Sequence, residues 1–120
     1  MSDYEFSLPW PPSVNAWKTP FKGRMILTKR GREYRQAVLE AMDSLKLSRE
    51  RLEGELSVSI VLNPPTLRRY DIDNFTKSLF DALTHCEFWG DDEQVVRLMI
   101  EKGEKTPPGN VEIKINKLGA

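Results

Sequence analysis

Apolar and polar residues alternate along several stretches of the chain, and each stretch predicts an element. In YEFSL (residues 4–8), Tyr4, Phe6 and Leu8 alternate with Glu5 and Ser7, the pattern of a strand with one buried face. ELSVSIVL (55–62) alternates over a longer run and carries β-branched residues, which makes it the clearest strand. QVVRLMIEK (94–102) and VEIKINKL (111–118) predict two more, separated by the loop KTPPGN. RMIL (24–27) has the length of a short strand.

The helical period occurs twice. Over residues 29–45 it puts Tyr34, Val38 with Ala37, Ala41 and Leu45 on one stripe, and Thr28 stands at the N-cap position. Over residues 74–86 it puts Phe75, Leu79, Leu83 and Cys86 on a buried side, with Asp73 or Asn74 as cap. PWPPSVN (9–15) interrupts regular structure, because prolines remove donors and fix φ. The order β, (β), α, β, α, β, β predicts an α/β (α+β mixed) fold, two helices packed on a small mixed sheet, as a single domain over residues 1–120. The pattern does not set the strand order.

Composition changes this picture little. At 39% hydrophobic and 30% charged residues the chain is an ordinary globular one, and disorder is not expected over most of it. Its apolar runs are too short to span a bilayer, and MSDYEFSLPW has no signal-peptide pattern, so neither a membrane partner nor a leader is expected. A lone cysteine, Cys86, cannot form an intramolecular disulfide, which fits a reducing, cytoplasmic setting.

Charge changes it more. Eighteen basic residues balance eighteen acidic ones, which alone argues against nucleic-acid binding. The distribution is uneven, however. Residues 18–35 hold Lys18, Lys22, Arg24, Lys29, Arg30, Arg32 and Arg35 against a single acid, Glu33, so one basic face is available.

The densest chemistry is in RRYDIDNFTK (68–77). If that segment is extended, Asp71 and Asp73 point to one side and offer two carboxylates to a hard cation such as Mg²⁺. The competing reading makes Asp73 a helix cap and leaves Asp71 solvated. Lys77, one turn on, either pairs with Asp73 or Asp81 at i, i+4 or meets a phosphate oxygen. The turn Gly90-Asp91-Asp92-Glu93 is either a solvated acidic turn or, if the second helix returns it to the first acids, the source of a third carboxylate. Three converging acids suit metal-assisted phosphodiester hydrolysis, with Arg68 and Arg69 on flanking phosphates. His85 fits a helix end, and Cys86 a buried small side chain. Trp17 stands beside the basic run, where an aromatic side chain can stack on a base.

With PWPPSVN (9–15), DIDNFTKSLFDAL (71–83) and FWGDDEQVV (88–96) in this order, nearly the whole chain resembles the RusA family of Holliday junction resolvases. The resemblance implies a homodimer that binds four-way DNA junctions and nicks two strands symmetrically with Mg²⁺ or Mn²⁺, with no small-molecule substrate. It implies metal-binding acids at Asp71, Asp73 and Asp92 rather than Asp91, a lysine supporting the phosphate at Lys77, and a site-proximal asparagine at Asn15. With Arg68 and Arg69, the basic residues Lys29, Arg30 and Arg32 complete the expected DNA-binding set. It implies a bacterial or phage-encoded protein of DNA recombination and repair. The family is more basic just before the first aspartate, where this chain has Leu67 and Tyr70 around the arginines. The alternative function is a structure-selective DNA-binding protein that does not cut.

Overall fold

The structure, a computed structural model, describes residues 2–119. In chain order the elements are β1 (Tyr4–Pro9), α1 (Val14–Trp17), β2 (Lys18–Phe21), β3 (Arg24–Leu27), α2 (Lys29–Ser44), β4 (Leu56–Asn63), α3 (Thr76–His85), β5 (Val95–Lys102) and β6 (Asn110–Lys117). A 3₁₀ turn, Asp92–Gln94, leads into β5. The main sheet runs β1-β6-β4-β5, and β2 and β3 form a separate hairpin. β6 is antiparallel to both its neighbours, whereas β5 is parallel to β4. Parallel neighbours need a crossover connection, and α3 supplies it. The sheet is therefore mixed, as the sequence predicts.

The alternation in β4 divides the sheet into two faces. Leu56, Val58, Ile60 and Leu62 are buried, and register aligns them with Val111, Ile113 and Ile115 of β6 and with Phe6 and Leu8 of β1. Against this face pack Tyr34, Val38 and Met42 of α2 and Leu79 and Leu83 of α3, giving one core. Ser59, Glu112, Lys114, Glu5 and Ser7 occupy the opposite face. One covered face and one polar face is the usual state of a largely antiparallel sheet.

Four local features differ from the sequence expectation. The segment after the prolines is not irregular throughout: one helical turn, α1, forms there, and β2 continues from it. Lys22 and Gly23, at φ 49° and 79°, make the two-residue hairpin turn to β3. The α2 stripe ends on Met42, not Leu45, which is 48% exposed. The helix has stopped by then: Lys46 takes φ 60°, its N–H donates to the Asp43 carbonyl at 3.0 Å, and the Leu47 N–H donates to Met42 at 2.8 Å. Finally, α3 begins at Thr76 with Phe75 in the N-cap position, so neither Asp73 nor Asn74 caps it.

Thr28 caps α2 as expected, accepting from the Gly31 N–H at 3.0 Å, and its hydroxyl also donates to the Ala16 carbonyl at 2.6 Å. The helix thus lies tight against α1. A Cβ on Gly31 would sit 2.5 Å from the Trp17 carbonyl oxygen, which accounts for a glycine inside a helix.

Lys46 holds a left-handed conformation that costs a side chain about 1–2 kcal/mol. Lys46→Gly is expected to raise the melting temperature by a few degrees, and Lys46→Val to lower it, in circular-dichroism melts.

Candidate active site

The site is assembled where the N-terminal proline segment meets the head of α3. Buried Ser78 donates its hydroxyl to the Pro12 carbonyl at 2.7 Å, and the Val14 N–H donates to the Asn74 carbonyl at 2.8 Å. From α2, the Tyr34 hydroxyl donates to the Pro9 carbonyl at 2.7 Å. Burial pushes that phenol far above its ordinary range, so it remains a proton donor. These contacts fasten residues 9–14 to the segment that carries the first two acids, and Asn15, exposed, follows directly.

Asp71 and Asp73 do not lie on an extended strand. The Asn74 N–H donates to the Asp71 carbonyl at 3.2 Å, closing a turn that holds both acids exposed just ahead of α3. The pairings that would give these charges a purely local role do not form. Asp81 is engaged by Arg35, through Nε at 2.8 Å and Nη2 at 2.9 Å, so it is not paired with Lys77. This hydrogen bonding raises the Arg35 guanidinium further, and the pair ties α2 to α3. Among the described residues, Asp71, Asp73, Lys77, Arg68 and Arg69 enter no ion pair.

The second acidic segment separates its two aspartates by role. Asp91 is a cap: its carboxylate accepts from the Glu93 N–H at 3.0 Å, and the Gln94 side chain accepts from the Asp91 N–H at 3.0 Å. Gln94 also donates to the Leu52 and Gly54 carbonyls, both at 2.9 Å, anchoring the turn below β4. Asp92 is left free of that duty. Partial burial is the main cause that raises its carboxyl above the usual range; the hydrogen bond and charge of Asp91 add to this, Lys77 opposes it, and Asp81 adds slightly. The return of α3 therefore brings Asp92 within electrostatic reach of Lys77. Among the described residues, no group of three or more His, Cys, Asp or Glu side chains is gathered closely enough to hold a metal ion. The oxygen donors present are the Asp71–Asp73 pair on one turn and Asp92 on another. One or two carboxylates completed by water and substrate phosphate is the ordinary donor set of Mg²⁺, and the turn pair has that chemistry.

The other expected residues fall into two groups. Lys29, Arg30 and Arg32 open α2, whose first turn holds no acidic residue to offset the helix dipole, so positive potential accumulates there. Arg30 faces a cavity shared with Arg68 and Arg69, whereas Arg32 donates to the Leu27 carbonyl at 3.0 Å and Lys29 makes an exposed contact with Glu33. Trp17 does not border the cavity that Arg30 shares with Arg68 and Arg69; its ring carries the Lys18 ammonium, 4.4 Å from the centroid. His85 is exposed at the end of α3, and Cys86 is buried. The feature that periodicity misses is a cluster of Trp10, Tyr70 and Phe75 beside the acids.

The family model described as Endodeoxyribonuclease RusA matches residues 9–116. The chain belongs to the RusA family of endodeoxyribonucleases. It is 35% identical to the crossover junction endodeoxyribonuclease rusA of Enterobacteria phage HK97, over 98% of both chains. It is 36% identical to the crossover junction endodeoxyribonuclease RusA of Shigella sonnei, over 99% of this chain and 98% of the relative. The protein of the same description from Enterobacteria phage 82 is also 36% identical, with the same coverage. The match begins within the proline segment and ends within β6, so it takes in every residue of the site described above, though not most of β1.

The division of labour between neighbouring aspartates has a measurable consequence. Asp91→Ala removes a cap and is expected to cost about 1 kcal/mol of stability. Asp92→Asn removes a charge that stands beside the like-charged Asp91 and is expected to leave the melting temperature unchanged or raise it. Thermal melts of the two variants check both expectations.

Proposed function

We propose that the protein resolves four-way (Holliday) DNA junctions in the cytoplasm, as a Mg²⁺-dependent endonuclease acting as a homodimer by paired symmetric nicks, with Mn²⁺ able to substitute. The observation that carries this reading is the exposed pair Asp71 and Asp73, which among the described residues enter no ion pair, flanked by Arg68, Arg69 and Lys77, which likewise enter none. Local structure makes no use of these charges. A protein that only bound phosphates would be weakened by carboxylates beside them, which disfavours the non-cutting alternative.

Asp71 and Asp73, on one turn, would hold the ion; Asp92, expected as a third ligand, stands on a separate turn and is not gathered with them in the structure. When bound, Mg²⁺ lowers the pKa of its water and offsets charge on the scissile phosphate. The remaining work falls to the chain itself. Lys77 offers its ammonium to a phosphoryl oxygen, where its charge also steadies Asp92 as a carboxylate. Arg68 and Arg69 hold phosphates on either side of the cut. Arg30, with Lys29, Arg32 and Asn15 beyond it, extends the surface along the strand. Because net charge is zero, this local set bears most of the phosphate attraction, and affinity falls as salt rises.

Two nicks related by symmetry need two sites related by a two-fold axis. Support for a dimer comes from β5, an edge strand carrying exposed Val96, Leu98 and Met99. Apolar side chains on an open edge favour pairing with a second copy. Met99→Glu, combined with Leu98→Glu, is expected to convert the dimer to monomer in sedimentation velocity at micromolar protein.

Asp73→Asn tests the site directly. Nicking of a labelled junction is expected to fall by more than about a hundredfold, a scale that even the outer partners of metal ligands reach. Junction binding in a gel shift is expected to persist. Wild-type nicking by this variant would remove Asp73 from the site.

A further inference from the structure

Beside the acid pair lies a cavity of about 560 Å³ bordered by Trp10, Tyr70, Phe75, Arg30, Arg68 and Arg69. Its apolar part is a corner of three rings. The centroids of Trp10 and Phe75 are 4.7 Å apart, those of Trp10 and Tyr70 5.6 Å, and those of Tyr70 and Phe75 5.8 Å. Phe75 is buried beneath, whereas Trp10 and Tyr70 remain partly exposed. Tyr70 is held in place from β5: the Lys102 ammonium donates to its carbonyl at 2.8 Å and sits over its ring, 4.5 Å from the centroid.

An aromatic corner of this kind needs no function beyond packing a loop, but its rim does not suit packing. No acidic residue lines the cavity. None of its three arginines enters an ion pair among the described residues. The three guanidiniums are exposed to water, and together they give the cavity a positive field that draws an anion. The ligand chemistry that matches both parts is a nucleotide: a flat base for the rings and phosphates for the guanidiniums. The volume falls in the range of small-molecule sites. Phe75 and Asn74, both on the wall, follow Asp73 directly, so an occupant lies next to the proposed scissile bond.

We propose that this cavity receives one unstacked nucleotide of the DNA strand beside the cleavage point, its base against Trp10 and Tyr70 and its phosphates on Arg30, Arg68 and Arg69. The inference rests on the junction-nuclease reading for its biological substrate. A base inside continuous duplex cannot enter, whereas a base at a branch point, where stacking is interrupted, can. The cavity therefore supplies a physical reason for preferring branched DNA over linear duplex.

The test uses full-length protein and two probes with equal numbers of phosphates, a short oligothymidine and its abasic counterpart, without divalent metal. Binding is read by fluorescence anisotropy at fixed salt. The oligothymidine is expected to bind about tenfold more tightly, the scale of stacking one base on an aromatic side chain. Tyr70→Ala is expected to abolish that preference while leaving abasic affinity unchanged, and Tyr70→Phe to retain it. Arg69→Gln is expected to weaken both probes together and keep their ratio. Equal binding of the two probes by the wild-type protein, or a full base preference in folded Tyr70→Ala, would overturn the proposal. So would loss of the preference in folded Tyr70→Phe. Junction cleavage is scored separately. Cleavage without base preference sinks the pocket alone, and base preference without cleavage sinks the nuclease reading alone.

Discussion

The docking of the proline segment onto the head of α3 is the constraint on which the site depends. Prolines at 9, 11 and 12 leave their stretch of chain short of donors, so its carbonyls must be met from elsewhere. Tyr34 meets Pro9 and Ser78 meets Pro12, each at 2.7 Å. Both donors come from core-facing positions of helices, where an unmet hydroxyl would be costly. The Val14 N–H then fixes the Asn74 carbonyl, and with it the turn bearing Asp71 and Asp73. A segment that forms little regular structure thereby decides where two carboxylates stand.

The same docking frees charges instead of consuming them. With the chain ahead of α3 held by Val14, the helix starts without a side-chain cap, and Asp73 is not drawn into that role. With Asp81 taken by Arg35, Lys77 is left without a partner on its own helix face. With Asp91 capping the 3₁₀ turn, Asp92 is released. In each case a neighbouring residue satisfies the structural demand and an exposed group beside it stays available. Such unpaired groups contribute little to folding, and their like charges oppose it.

Much of the fold was legible in the sequence, because strand alternation and helical stripes record which face is buried. β4 and β6 read correctly from Val58, Ile60, Ile113 and Ile115 alone. What was not legible was tertiary. The stripe of α2 ends on Met42 because the chain turns at Lys46, and nothing in the period marks that residue as left-handed. β3 matches the short strand read at RMIL, but its partner β2 is too short and polar for periodicity, and the strand order β1-β6-β4-β5 follows from packing. Within the site, the acids stood out through their spacing and the family blocks, but their turn geometry did not. The aromatic cavity escaped notice because Trp10 and Tyr70 are separated by half the chain in sequence and meet only through the docked segment.

The most direct measurement compares one substrate geometry with another. Purified protein is incubated with a labelled synthetic four-way junction, and separately with a linear duplex built from the same arms, in Mg²⁺, in Mn²⁺ and in EDTA. The account predicts paired nicks at symmetric positions in the junction only, abolished by EDTA. A junction that shifts in a gel yet is never nicked in either metal would contradict it, and would leave the unpaired aspartates without the role assigned to them here.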